Sequence, residues 1–515
     1  MKSEEPTVPG ERPGGGRVEE DVSGARIVHL TAEYWPYART GGLGEAVRGM
    51  ATFQHRLGSE TTVVLPLYGQ IRDKDHELTP AGKPFEVTIG SRTEGARLWR
   101  VAGEEEDDGP QVLLVENEPF FGRAGIYGER GEDYPDNHRR FSFFAAAAVD
   151  ALPRIADAPV VLHMHDWHTA LAVVYLRVLR RGDPYADGVR TVLSVHNGGF
   201  QGHFPPELLP EMGLPGDLYT TAVMEWYGRA NVLKAGLVFT DMATTVSPGH
   251  SFELRTEAGG FGLHHNFLAL HDRLVGVLNG IDVRIWDPET DSHIPANYSR
   301  DDLAGKTTCK RALQGEYGLP QEDGRLLVGM VARMVAQKGM DLILEGRAVR
   351  EADAQFVFLG SGEPRYEEAL HGLAAAHPDR VAVSTDFSEE KEHRIIAGAD
   401  ALLMPSLYEP CGLTQMRAQR YGTIPLARRV GGLANTIEDG TTGLLFDDYR
   451  PERLDWTVER AVARFADPRA WEDMVHHAMD EDFSWERVVR RYYEVYDRAA
   501  EVRQAALAES GTVRR

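Results

Sequence analysis

The residues best suited to chemistry gather in a few short stretches, of which "SLYEPCGLTQMRAQRYG" (406–422) says most. Glu409 stands just before Cys411, Gly412, Leu413 and Thr414, which read as the start of a helix. A helix N-terminus carries unpaired N–H groups and a positive partial charge, so it suits an anion. The adjacent carboxylate can accept hydrogen bonds from sugar hydroxyls. Cys411 has no partner histidine at a recognisable spacing and makes a poor nucleophile on that ground. In "VARMVAQKGMDLIL" (331–344), Arg333 and Lys338 lie where a strand passes into a helix. A planar guanidinium fork and an ammonium point charge together suit a diphosphate; the plain alternative is a solvated basic loop. "ARTGGLGEAV" (38–47) places Arg39 and the pair Gly41, Gly42 at another helix start. Glycines there let a phosphate approach the backbone, or they serve an ordinary turn that needs positive φ. "RRVGGLANTIED" (428–439) repeats the pattern.

Histidines mark two further strand ends. "HMHDWHTA" (163–170) joins three of them to Asp166. Alternation turns His163 and His165 to one side, whereas His168 falls on a new helical turn, so a sugar-binding or structural polar cluster fits better than a metal site. "SVHNGGFQGHFP" (194–205) offers His196 in a glycine-rich turn, either a plain polar turn or a site for sugar hydroxyls.

All these residues follow apolar runs. "ARIVHLT", "TTVVLPL", "QVLLVE", "VVLHMH" and "TVLSVH" read as strands of a first series, and "LLVGMVAR", "QFVFLG", "RVAVST", "DALLMP" and "TIPLAR" as a second. Helical runs such as "FSFFAAAAVDAL" lie between many of them. Near-continuous apolar strands alternating with helices predict two doubly wound parallel sheets, with ligands at the carboxyl ends of the strands. The expected division is an acidic Pro/Gly-rich tail (1–24), a first α/β domain (25–290), a second (291–480) and a terminal helix with its tail (481–515). The tail lacks an apolar signal core and reads as disordered. "GEEEDDG" (103–109) reads as a solvated hairpin tip.

At 515 residues the chain exceeds one ordinary core. A formal net charge of −23 opposes nucleic acid or anionic lipid as the main partner. No apolar run spans a bilayer, and two cysteines, Cys309 and Cys411, make no disulfide framework, which suits a reducing cytoplasm.

Taken in order, the stretches "RTGGLGEAV", "DYPDNHRRF", "HDWHTALAVVYL", "VHNGGFQGHFP", "LKAGLVFTDMATTVSP", "LVGVLNGIDVRIWDPETD", "VARMVAQKG", "MPSLYEPCGLTQ", "RYGTIP" and "VGGLANT" resemble the bacterial glycogen/starch synthases. These are retaining glucosyltransferases of the GT-B fold, in which two Rossmann-like domains face across a cleft, and the resemblance implies that the terminal helix returns to the first domain. It covers roughly residues 26–440, and the ordered set is specific where any one stretch is not. It implies ADP-glucose as donor, the nonreducing end of an α-1,4-glucan as acceptor, and no metal or cofactor; UDP-glucose is the near alternative. By position, Arg39, Gly41, Gly42 and Glu45 match the donor loop, and Asp166 and His196 the sugar site. Asn279 matches a residue near the donor, Arg333 and Lys338 the diphosphate clamp, and Glu409 the carboxylate that holds glucose. Cys411, Gly412, Leu413 and Thr414 fall on the donor side, Tyr134 and Asn137 on the acceptor side. Phe387 takes the place of a base-stacking tyrosine. The chain departs from the family pattern at Arg39 (usually lysine), at Glu45 (usually aspartate) and at Gly198–Gly199, where a bulky apolar residue is usual. A glycoside hydrolase would need flanking carboxylates and give the cations no task. A non-catalytic glucan binder would not need Glu409, Arg333 and Lys338 together.

Overall fold

The computed structural model describes residues 26–513 apart from 73, 75, 104–107, 130 and 158. The N-terminal tail (1–24) and the acidic centre of "GEEEDDG" lie outside the described residues. The strands flanking that acidic stretch, Arg92–Val101 and Gln111–Glu116, pair antiparallel, so it joins a hairpin.

Arg26–Leu30 lies inside a ten-stranded sheet. Glu60–Pro66 and Val161–His165 flank it in parallel, with Ile27 level with Thr61 on one side and Val161 on the other. Arg190–Val195, Met242–Thr245 and Leu274–Gly276 extend the parallel series one way, and Gln111–Glu116 the other. The far edge departs from the expected pattern: Arg92–Val101, Leu78–Pro80 and Phe85–Ile89 pair antiparallel. Phe85–Ile89 alternates exposed and buried residues, as a strand with one wet face must. The second sheet is six-stranded and all parallel, in the order Val381–Ser384, Ala354–Leu359, Leu326–Val331, Ala401–Met404, Ile424–Arg428, Leu444–Phe446. Each sheet has its own apolar core.

The terminal helix Trp485–Val513 leaves the second sheet and lies against the first. Trp485, Val489, Tyr492 and Tyr496 pack with Ile27, Met50, Phe53, Val161, Val192 and Met242. The two chain crossings run side by side, with the Ile281 N–H donating to the Phe483 carbonyl at 2.9 Å. A Cβ on Gly280 would come within 2.9 Å of the Trp485 backbone, so only glycine allows this approach. Among the described residues, no helix is long and apolar enough to cross a membrane.

Candidate active site

The site is assembled where strands of both sheets end. After Ala401–Met404 the segment from Pro405 to Glu409 is zipped onto the turn Ala336–Lys338: Leu407 N–H donates to the Gln337 carbonyl at 2.8 Å. Gly339, at φ 79°, completes that turn, and a Cβ there would lie 2.2 Å from the Pro405 oxygen. The result is a close pair, Lys338 Nζ to Glu409 Oε2 at 2.5 Å, with the Ser406 hydroxyl donating to the same oxygen at 3.0 Å. The Glu409 backbone is held from behind, because Gly432 N–H donates to its carbonyl at 3.0 Å. Gly431, at φ 45°, sits so close that a Cβ would stand 2.0 Å from that carbonyl. The second Gly-Gly pair is therefore a packing device for the Glu409 segment. Lys338 keeps N–H donors to spare for an anion, and Arg333 is exposed, with no ion-pair partner among the described residues.

The first Gly-Gly pair behaves differently. Gly41 has φ −156°, and Gly42 is not among the positive-φ residues, so neither glycine serves a left-handed turn. A Cβ on either would meet nothing within 4 Å. Their backbone faces open space at the start of the helix Gly42–Arg56, an arrangement that makes sense for a group approaching from outside. Buried Glu33 shapes this loop, accepting from Thr40 N–H at 2.7 Å, the Thr40 hydroxyl at 2.7 Å and Gly41 N–H at 3.2 Å. Glu33 is absent from the sequence reading; its one signal is a lone acidic residue just past a buried strand. Arg39 bonds Glu45 at 2.5 Å and reaches Glu389 of the second domain at 3.2 Å. Glu45 also pairs with Arg417, which pairs with Glu392 at 2.8 Å. Burial pushes the Glu45 carboxyl up, but Arg417 and Arg39 outweigh it and hold it below its ordinary range. Two of the family departures, Arg39 and Glu45, thus lie in one ion chain between the domains.

Asp166 ends the strand Val161–His165 at φ 57° and accepts from the His196 N–H at 2.7 Å. Burial pushes its carboxyl up to about 7, with the nearby Glu33 adding to the rise and the backbone N–H groups of His196 and Asn197 opposing it. The sign follows from an unfolded value near 3.8: below it both states are protonated, and above about 7 the folded state bears the whole cost of a buried charge. That cost is at most about 4 kcal/mol at 1.36 kcal/mol per unit. Asp166→Asn, which keeps an acceptor for His196, is expected to raise Tm at pH 8 and to match the wild type below pH 4. Equal melting temperatures at pH 8 would show that Asp166 carries no such cost.

His196 pairs its Nε2 with His165 Nδ1 at 3.0 Å, and its Nδ1 has no partner among the described residues. The Tyr408 ring meets the Phe261 ring of the first domain edge-on at 5.5 Å, so the segment beside Glu409 touches the first domain. Ser247 donates to the Pro410 carbonyl at 2.6 Å and Glu253 accepts from Gly431 N–H at 2.8 Å, adding first-domain support that the sequence reading missed. His29, His163 and His165 place ligand-type nitrogens within 4.8 Å of one another. Every ring nitrogen of the three is already hydrogen-bonded, to Gln54, Ser194, Tyr496, His196 or one another, as befits a structural polar cluster. His168 is instead stacked on Tyr127 at 4.6 Å.

The remaining residues lie as follows. Asn279 is buried, and its Oδ1 has no hydrogen-bond partner among the described residues. Cys411 is buried and its thiol pushed up to about 12 by burial, so it is no nucleophile. Gly412, at φ 73°, leads through Leu413 into the short helix Thr414–Arg420. Phe387 is exposed two residues before Glu389. Tyr134 and Asn137 are engaged in structure: Tyr134 donates to Glu129 at 2.5 Å, while Asn137 donates to the Tyr127 carbonyl at 2.9 Å and accepts from Arg140 at 2.7 Å. Through Tyr127, whose hydroxyl donates to Glu33 at 2.7 Å, Asn137 supports the glycine loop. At Gly198 the space a larger side chain would take is filled by Leu254, 2.6 Å from a Cβ there, and by the Phe261 ring at 3.3 Å.

Comparison with known proteins agrees with this geometry. Residues 26–268 match the starch synthase catalytic domain, and residues 318–472 the group 1 glycosyl transferases. A glycogen synthase of Anaeromyxobacter dehalogenans is 42% identical over 92% of this chain and 99% of its own. One from Myxococcus xanthus is 39% identical over 90% and 98%. The catalytic domain of starch synthase IV from Arabidopsis thaliana, solved with ADP and acarbose, superposes with a TM-score of 0.84 at 33% identity, covering 93% of this chain and all of that one. With two Rossmann-like sheets, the Lys338–Glu409 pair at their strand ends, and these relatives along nearly its whole length, the chain belongs to the glycogen/starch synthase family and is a glycosyltransferase of the GT-B fold.

Proposed function

We propose that the protein is a retaining glucosyltransferase that moves glucose from ADP-glucose to the nonreducing end of an α-1,4-glucan, in the cytoplasm and without metal or cofactor. The observation that carries this reading is the Lys338–Glu409 pair, lying with the open Gly41–Gly42 backbone among strand ends of the two sheets. In this reading Glu409 holds the glucosyl unit, with Asp166 and His196 completing the sugar site. Arg333, Lys338 and the glycine-loop amides stabilise the departing diphosphate. The bond from C1 of glucose to the phosphate oxygen breaks, and a bond from C1 to the acceptor 4-oxygen forms on the same face. The leaving phosphate takes the acceptor's proton, so no enzymic nucleophile is required. Asn279, Phe387 and the Cys411–Thr414 backbone serve the nucleotide side, and Tyr134 and Asn137 support the loop from the acceptor side. ADP is favoured over UDP by the ADP held in the Arabidopsis structure. Both cysteines are free and buried, in keeping with a reducing compartment, and the net charge of −23 leaves a neutral polymer as a suitable partner.

Purified protein incubated with glycogen and either ADP- or UDP-[14C]glucose tests the reading. Label enters glycogen from ADP-glucose, at an unchanged rate in EDTA. Faster incorporation from UDP-glucose would reverse the donor assignment, loss of activity in EDTA restored by a divalent ion would overturn the metal-free mechanism, and sugar release without nucleotide would indicate a hydrolase.

A further inference from the structure

Behind His196 runs a hydrogen-bonded chain that the transfer reaction does not itself call for. His165 Nε2 meets His29 Nδ1 at 3.0 Å, and His29 Nε2 meets Gln54 Oε1 at 2.7 Å. The Gln54 amide nitrogen donates to the Tyr496 hydroxyl at 2.8 Å, and that hydroxyl lies 2.9 Å from His163 Nδ1. His163 Nε2 lies 2.7 Å from the Ser194 hydroxyl. Gln54, His29, His163 and His165 are all buried, and only His196 at the end of the chain is partly exposed. A neutral imidazole has one donor nitrogen and one acceptor nitrogen, so a direction imposed at one end runs through the whole chain.

Gln54 turns its Oε1 to His29 and its amide nitrogen to Tyr496, and that orientation sets the direction. Its Oε1 can only accept, so His29 carries its proton on Nε2 and leaves Nδ1 bare. His165 must then donate from Nε2 and accept at Nδ1, which requires a proton on His196 Nε2. The amide nitrogen can only donate, which leaves the Tyr496 hydroxyl proton free for His163 Nδ1, so the second branch is consistent with the first. Burial, the leading cause for each, pushes His29 down to about 4 and His196 to about 3, and holds His163 and His165 well below the ordinary histidine range, so all four rings are neutral at pH 7.

We infer that Gln54, acting through His29 and His165, is a positioning residue that fixes His196 as its Nε2–H tautomer and presents a bare Nδ1 to the cleft as an acceptor for a sugar hydroxyl. This rests on the reading above that places His196 at the sugar. The same helix, Gly42–Arg56, carries the glycine loop at its start and Gln54 near its end, so one rigid element sets both the loop and the tautomer.

Long-range 15N–1H NMR of histidine-labelled protein, with His196 assigned by its loss in His196→Gln, reads the tautomer directly. His196 is expected to show a protonated Nε2 and a bare Nδ1. Gln54→Met, similar in volume but without polar atoms, is expected to mix the tautomers and lower kcat about tenfold, the effect of one lost hydrogen bond, with little change in donor KM. Ser194→Ala, which disturbs the His163 branch but not the His196 direction, is expected to keep both the tautomer and kcat. A wild-type His196 protonated on Nδ1 overturns the proposal, whether or not any variant folds. So does a folded Gln54→Met with unchanged tautomer or kcat, or a Ser194→Ala that loses activity as Gln54→Met does. Failure of wild-type protein to transfer glucose would overturn the functional reading instead, and the tautomer measurement stands apart from it.

Discussion

Glu409→Ala is expected to keep the fold and to lose about 10²–10³ in kcat, the range for removing a preorganised polar group from a transition state. The carboxylate makes its bonds within the site, to Lys338 at 2.5 Å and Ser406 at 3.0 Å. The backbone of residue 409 is secured separately by Gly432 and by the close approach of Gly431. Truncating the side chain therefore removes chemistry and spares the packing. Glu409→Gln keeps the shape and a hydrogen-bonding oxygen but not the charge, and is expected to fall between the two. Steady-state kcat with donor and glycogen both saturating, beside Tm, checks the pair. A well-folded Glu409→Ala with near wild-type kcat would remove Glu409 from the mechanism.

Arg417→Met is expected to act on stability. Arg417 lies between Glu45 and Glu392, its side chain 9% exposed and that of Glu392 7%. Its guanidinium also covers the Trp286 ring at 4.2 Å. Removing one member of a buried ion pair leaves its partners uncompensated, which costs about 3–5 kcal/mol. A clear fall in Tm follows, and Arg417→Met combined with Glu45→Gln should recover part of it, because one stranded charge is gone. Arg39 offers the contrast. It is about a quarter exposed, so Arg39→Ala is expected to cost at most about 1 kcal/mol of stability. If Arg39 also reaches the donor phosphates, the loss appears in kcat/KM for the donor, by about 1–3 kcal/mol for a charge-assisted bond. Arg417→Met melting with the wild type would show that the ion chain between the domains contributes nothing to the fold.

Much of this molecule is legible in its sequence, and the boundary is physical. The long parallel strands announce themselves because burial on both faces demands unbroken apolar runs, as in "LLVGMV" and "QFVFL". Met242–Thr245 is only four residues long and merges with the preceding helix Val232–Phe239, so no change of period marks it. Arg333, Lys338 and Glu409 draw notice in the sequence because charged residues in the turns after apolar strands have few packing reasons to be there. The two Gly-Gly pairs look alike in sequence and differ in the fold, one open to the cleft and the other filled by the Glu409 backbone. That difference depends on what packs against them, which local pattern does not encode. The histidine chain is beyond sequence reading for the same reason. Gln54 and Tyr496 meet across a separation of 442 residues, and neither residue type suggests the other.

The terminal helix has a consequence for how the protein is made. A chain emerges from the ribosome N-terminus first, and domains ordinarily fold in that order. Here the face formed by Ile27, Met50, Phe53, Val161, Val192 and Met242 is covered by Trp485, Val489, Tyr492 and Tyr496, which emerge only after the strands of both sheets. The second sheet has all its strands by Phe446 and most of its core by Met479, so it can close while the first sheet still shows bare apolar surface. The order of birth is thereby reversed. The domain synthesised first is finished only after the second, and until the helix docks it shows apolar surface that has to be kept from other chains. Tyr496 arrives with the same helix, so the hydrogen-bonded chain behind His196 closes only once that helix docks.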